Sequence, residues 1–133
     1  MVKVNELVGK RFVNGGRDVK NGLDCWGLVM EVFKHFRVTV PDFSVNAFAF
    51  QAIDALAKKA TGLSSWKEVY RPIDTDAPLV VLMRMHPKLI THAGVFIGNN
   101  RIIHTTKATG VITTRADALK SRIVGYYKYA KDN

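Results

Sequence analysis

The change of hydrophobic period along this 133-residue chain limits its fold more than any other feature. Between Asp24 and Phe36, apolar residues fall at Leu28, Val29, Val32, Phe33 and Phe36. That spacing makes one broad helical face. Asp24 is placed to cap this helix, and Thr39-Val-Pro41 to end it. Phe48–Ala60 repeats the pattern through Phe48, Ile53, Leu56 and Ala57, and Gly62 closes it. A short first helix closes near Leu7–Gly9, and Asn14-Gly-Gly16 with Asn21-Gly22 mark a loop. Beyond residue 78 the apolar runs shorten to strand length. Leu79–Met85 reads as a buried strand, and Ala93–Ile97 with Arg101–His104 as a hairpin turning at Gly98-Asn-Asn100. Val111–Thr114 and Ile123–Tyr129 are further strands, separated by a helical turn at Ala116–Lys120. Helices first and an antiparallel meander after them predict an α+β fold.

Length and composition fit one ordinary globular domain, 1–133, with 47% hydrophobic and 23% charged residues. The net charge of +9 favours anionic partners, but Lys10-Arg11 and Lys58-Lys59 are the only adjacent basic pairs. No compact basic arm is present, so a nucleic-acid partner is not expected. The opening MVKVNELVGKRF lacks the apolar core of a signal peptide, and no run reaches the ~20 apolar residues of a transmembrane helix. The expectation is a protein made in the cytoplasm, with no transmembrane segment.

The residues with chemistry to offer are few. Cys25 is the only cysteine and follows the capping Asp24 directly. A helix start carries partial positive charge, which predicts a lowered thiol pKa. The bland alternative is a cysteine buried as a small hydrophobe. Gly22 and Gly27 leave space around it, and Gly27 weakens the helix in a way that a purely structural helix would avoid. His92 opens one strand of the hairpin and His104 closes the other. Counted from Asn99 they are offset by about one diagonal step, so the rings can meet on one face if register or a bulge allows. One imidazole can then activate the thiol while the other orients the first. Two unrelated histidines at strand ends are the alternative. His35 lies ten positions along the Cys25 helix, about 15 Å away, and His86 falls in a Met-His-Pro-Lys loop. Both read as surface residues. One cysteine and two histidines could make three zinc ligands, but the paired CxxC or HxxH spacings of such sites are missing. We expect no metal and no cofactor.

Three blocks resemble the NlpC/P60 family of cell-wall cysteine peptidases. Asn21-Gly-Leu-Asp-Cys-Trp-Gly-Leu28 is similar to the family's Asp-Cys-Ser-Gly motif, and Thr91-His-Ala-Gly-Val-Phe-Ile-Gly98 to its His-Val-Gly-Ile-Tyr-Leu-Gly strand. Arg101-Ile-Ile-His-Thr105 resembles the strand bearing its polar third residue. Order and spacing agree from Gly9 to Tyr129. The resemblance implies a papain-like NlpC/P60 fold, with the nucleophile at a helix start packed on a C-terminal antiparallel sheet. It implies Cys25 as nucleophile, His92 as base and His104 as orienting residue, with Asp24, Phe12 and Trp26 at the oxyanion site and pocket. Trp26 stands where the family has Ser, and Phe12 where many members have a tyrosine hydroxyl thought to assist the oxyanion. The helix-start amide of Cys25 would then carry more of that charge.

The activity implied is hydrolysis of peptidoglycan stem peptides, at the bond between γ-D-glutamate and a diamino acid. Asp-Cys-Trp-Gly-Leu28, Trp66–Pro72 and Gly125-Tyr-Tyr-Lys128 look like phage tail-associated members. That implies phage tail proteins as partners and a virion tail acting at the cell wall. The alternatives are a structural or adaptor tail subunit with little catalysis, and an amidase or acyltransferase sharing the thioester chemistry.

Overall fold

A computed structural model describes residues 4–43, 50–63, 65–72, 77–85 and 88–130. Asp24 starts the first helix. Its backbone is extended (φ −86°, ψ −175°), and its carboxylate accepts from Gly27 N–H at 2.7 Å. That bond satisfies one of the amides a helix start leaves open. Helix α1 runs Cys25–His35 and buries Leu28, Val29, Val32 and Phe33, the face read from the spacing. Each such side chain contributes about 1.5–3 kcal/mol on full burial, so a charge at Val32 would break the contact. Lys34 and His35 occupy the last turn, where cations suit the helix dipole. Arg37 then turns left-handed (φ 64°), and Val38 N–H returns to Phe33 O.

Helix α2 runs Phe50–Thr61. The start expected at Phe48 lies outside the described residues. Asp54, itself buried, accepts from Ile90 N–H at 2.8 Å and pairs with Lys58, which fastens α2 to the segment before His92. The expected first helix is a single 3-10 turn, Val4–Leu7.

Two short strands, β1 (Arg17–Asp18) and β2 (Gly22–Leu23), form a small hairpin in the glycine-rich loop. The main sheet holds β3 (Trp66–Val69), β4 (Leu79–Met83), β5 (His92–Phe96), β6 (Arg101–Thr106), β7 (Gly110–Arg115) and β8 (Ile123–Tyr129). All its pairings are antiparallel, in the order β3-β8-β4-β5-β6-β7. Strands β4 to β7 are the expected meander. Strand β8 departs from it by returning across the sheet to lie between β3 and β4. All five residues of β4 are buried. A strand apolar on both faces cannot stand at an exposed edge with its amides unpaired, and β8 supplies the missing neighbour.

Alternate residues of β4 feed two cores. Val80 and Leu82 pack with Leu28, Val32 and Val95 on the helix side. Leu79, Val81 and Met83 pack with Phe96, Ile102 and Leu119 on the other. The turn expected at Ala116–Lys120 is a 3-10 turn, Ala116–Leu119, that helps to cover this second face. Gly98, Asn99 and Asn100 all adopt positive φ (89°, 52° and 59°), the conformation for which that hairpin sequence is suited. Among the described residues no helix is long and apolar enough to cross a membrane.

Candidate active site

Cys25 is the first residue of α1, and its position depends on contact between two glycines. A side chain on Gly27 would meet Gly16 O at 2.1 Å, and one on Gly16 would meet Gly22 O at 2.3 Å. Gly27 therefore has a packing role: it lets the loop backbone lie directly against the helix start, with Asp24 N–H bonded to Gly16 O. Asp24 is the hub of this junction. Its carboxylate takes Gly27 N–H, Gly15 N–H (3.1 Å) and the guanidinium of Arg17. Arg17 also reaches Asp42 Oδ1 and Phe43 O, so one cation ties the loop, the helix start and the chain after α1 together.

The sulfur of Cys25 accepts hydrogen bonds from the backbone N–H groups of Ala93 and Trp26. The β5–β6 ladder stops at Val95↔Ile103, and nearer the start of β5 the Ala93 amide turns to the thiol. These bonds do not produce the lowered pKa expected of a helix start. Burial, reinforced by the Asp24 carboxylate, pushes the Cys25 thiol up to about 11. The resting group is a neutral thiol.

Strands β5 and β6 bring the two histidines together. The pairs Val95↔Ile103 and Phe96↔Ile102 place Gly94 opposite His104, so His92 and His104 are diagonal neighbours on one face, and no bulge is required. A side chain at Gly94 would meet His104 Cβ at 2.9 Å; its absence leaves room for the ring to lean across. His92 Nε2 lies 3.0 Å from His104 Nδ1, and both residues are buried. His104 Nε2 lies 2.9 Å from Thr114 Oγ1 of β7, again on a diagonal, since His104 faces Ile112. Burial, with the neighbouring His104 adding to it, drives His92 down to about 3, and burial also lowers His104. Both rings rest neutral.

Neutrality leaves one tautomer chain that keeps an acceptor free at the Nδ1 of His92. In that chain His92 would carry its proton on Nε2 and donate to His104 Nδ1, and His104 would carry its own on Nε2 and donate to the Thr114 hydroxyl.

Cys25 and His92 line one cleft, with Asp24, Trp26, Phe43 and Trp66 among its walls. Trp26 is fixed by Nε1–H donating to Pro41 O at 2.9 Å, and packs on Phe43 and Trp66. Phe12 is not among the lining residues. It is half-buried and bridges Leu23, two positions before the cysteine. His35 meets Glu31 near the far end of α1, and His86 lies outside the described residues. Among the described residues no group of three or more His, Cys, Asp or Glu side chains could hold a metal ion. Sequence reasoning missed Arg17, Ala93, Gly94 and Thr114. A buried capping carboxylate calls for a cation, but nothing in the sequence chooses Arg17 over Arg11 or Lys20.

A thiol at a helix start and one ring of a hydrogen-bonded histidine pair line one cleft of this α+β fold. The chain belongs to the NlpC/P60 family, whose model matches residues 9–126. No curated protein matches it. Among solved structures it is similar to NlpC2 from Trichomonas vaginalis, with TM-score 0.67 and 15% identity over 97% of this chain and 44% of that one. It is also similar to a Staphylococcus aureus protein described as similar to lipoprotein, NLP/P60 family, with TM-score 0.60 and 14% identity over 97% and 39%. A third likeness is to the NlpC/p60 domain of peptidoglycan hydrolase SagA, with TM-score 0.60 and 16% identity over 92% and 90%. At these identities the likeness is one of fold. The chain spans less than half the length of the first two structures.

Proposed function

We propose that this chain is a cysteine hydrolase of peptidoglycan stem peptides, with Cys25 as nucleophile, His92 as general base and His104 as the residue that orients His92. The observation that carries this reading is the hydrogen-bonded pair His92–His104, with His92 opening into the cleft that Cys25 lines. Membership of the NlpC/P60 family and the fold likeness to the domain of a peptidoglycan hydrolase support the substrate class.

The directions of the two pKa shifts suit one order of events. With the thiol raised to about 11 and the imidazole lowered to about 3, both groups are neutral at rest. The proton therefore leaves sulfur as sulfur attacks the carbonyl, and His92 Nδ1 accepts it. The Cys25 amide, with the helix start behind it, stabilises the oxyanion. His92 then protonates the departing amine, and water delivered through the same base hydrolyses the thioester. Asp24 holds the helix start in place, and Trp26 forms the cleft wall. The finer assignments are the bond between γ-D-glutamate and a diamino acid, a single catalytic domain over residues 1–133, and delivery to the wall by a phage tail.

The test is digestion of a purified stem tetrapeptide by the wild type and by Cys25→Ser. Loss of at least about a thousandfold in turnover, with an unchanged melting temperature, is expected. Undiminished digestion by the variant would overturn the assignment.

A further inference from the structure

Asp24 is an unfavourable neighbour for a nucleophile. It is buried, it precedes Cys25 directly, and it lines the same cleft. A carboxylate there opposes any negative charge that forms on sulfur. Asparagine or serine would cap α1 about as well without a charge, so capping does not account for the charge. The charge has a partner in Arg17, whose Nη1 donates to Asp24 Oδ1. Arg17 is itself held in place. It donates from Nη1 to Gly16 O at 2.9 Å, from Nη2 to Phe43 O at 3.2 Å, and from Nε to Asp42 Oδ1 at 3.0 Å. The Asp24 side chain is 4% exposed and that of Asp42 48%. Water screens the outer pair, so the arginine's charge acts chiefly on Asp24. The other titratable groups around the thiol bring no charge. His92 of β5 is neutral, with neutral His104 of β6 behind it, and burial favours the neutral phenol of Tyr127 from β8. Among the described residues α2 gives the cleft no titratable group.

We propose that Arg17 is a positioning residue that cancels the charge of Asp24 at the nucleophile, so that α1 keeps a carboxylate cap with no uncompensated anion beside Cys25. The proposal rests on the reading of Cys25 as nucleophile and adds what sets its strength. As sulfur attacks, negative charge builds on sulfur and then on the carbonyl oxygen beside the Cys25 amide. An unpaired Asp24 would oppose it at both places. Arg17 acts through Asp24 and touches no reacting atom.

Cys25 is the chain's only cysteine, so its alkylation by iodoacetamide at pH 8 reads the sulfur directly, without a peptide substrate. Raising the thiol pKa by about one lowers the thiolate fraction about tenfold. The stronger nucleophilicity of the more basic thiolate leaves about threefold in rate. Arg17→Gln should therefore alkylate at least about threefold more slowly than the wild type, and Asp24→Asn at least about threefold faster. The double variant Arg17→Gln/Asp24→Asn separates charge from architecture, since it lacks the ties to Asp42 and Phe43 but carries no unpaired carboxylate. It should regain most of the rate that Arg17→Gln loses. A double variant as slow as Arg17→Gln would show that the arginine only ties the loop together, and would overturn the proposal. If Arg17→Gln does not fold, Asp24→Asn decides alone, and a rate no faster than the wild type overturns the proposal. Turnover of a stem tetrapeptide by the wild type keeps the two readings apart. If alkylation follows the charges but no peptide is cleaved, the role of Arg17 stands and the hydrolase reading falls. If the peptide is cleaved but alkylation ignores the charges, the hydrolase reading stands and the role of Arg17 falls.

Discussion

Replacing Thr114 by valine removes one hydroxyl at nearly constant volume, and its effect can be worked out from two distances. His104 Nε2 lies 2.9 Å from that hydroxyl and His104 Nδ1 lies 3.0 Å from His92 Nε2; in the tautomer that leaves His92 Nδ1 free, the first nitrogen donates and the second accepts. With valine at 114, the Nε2–H of a buried ring has no acceptor, which costs about 1–3 kcal/mol. The ring can escape by moving its proton to Nδ1. Two N–H groups would then oppose each other across the 3.0 Å contact unless His92 also shifts its proton to Nδ1. A proton there leaves His92 no lone pair facing the cleft. The hydroxyl therefore holds the productive tautomer by roughly 1.4–2.8 kcal/mol, a factor of about 10–100 in rate. Thr114→Val should lower kcat by that factor with little change in KM, and Thr114→Ser should recover most of it. Nitrogen chemical shifts of the two rings should show His92 gaining an Nδ1 proton in the valine variant. Full activity in Thr114→Val, unchanged shifts, or a serine variant as impaired as valine would each refute the reasoning.

His92→Ala should cost more turnover than His104→Ala, because one loses the base and the other its support; His104→Gln should retain part of the activity, and inverted effects in stem-peptide kinetics would reverse the two roles. Stability should fall as pH is lowered from 7 to 5, because the unfolded chain binds a proton near the ordinary histidine value of about 6.5 while folded His92 resists until about 3. The folded pKa lies below the unfolded one, so this stability is fully present above pH ~6.5. His92 alone withdraws about 2 kcal/mol over that interval, and urea titrations should show a shallower slope in His92→Gln. Gly27→Ala should destabilise by at least ~2 kcal/mol in thermal unfolding despite alanine's better helix propensity, because its Cβ would meet Gly16 O at 2.1 Å; a stabilised variant would show that the loop does not pack on the helix start.

Local chemistry carried the parts of this fold that the sequence revealed. A capping carboxylate, a 3.6-residue period and a Gly-Asn-Asn turn act within a few residues, so α1 and the β5–β6 hairpin were legible, and with them the diagonal approach of His92 to His104. The place of β8 was not, because the choice among sheet neighbours depends on which strands are buried on both faces. Thr114 depends on the β6–β7 register, and β7 alone offers three threonine or isoleucine positions of similar character at 112–114. The state of Cys25 was misread for a related reason: the helix start is visible locally, whereas the protein that surrounds the sulfur comes from β5, remote in the chain.

Strand β8 also dictates an order of assembly. The meander Leu79–Arg115 holds His92, His104 and Thr114 and pairs only strands that follow one another in the chain. Trp66, by contrast, has its strand partner in Tyr129. Until residues 123–129 pair with it, the buried run Leu79–Met83 is a bare apolar edge, the kind of surface that partly folded chains lose to aggregation. The β3 and β8 walls of the cleft thus depend on the same seven residues that cover the apolar edge of β4.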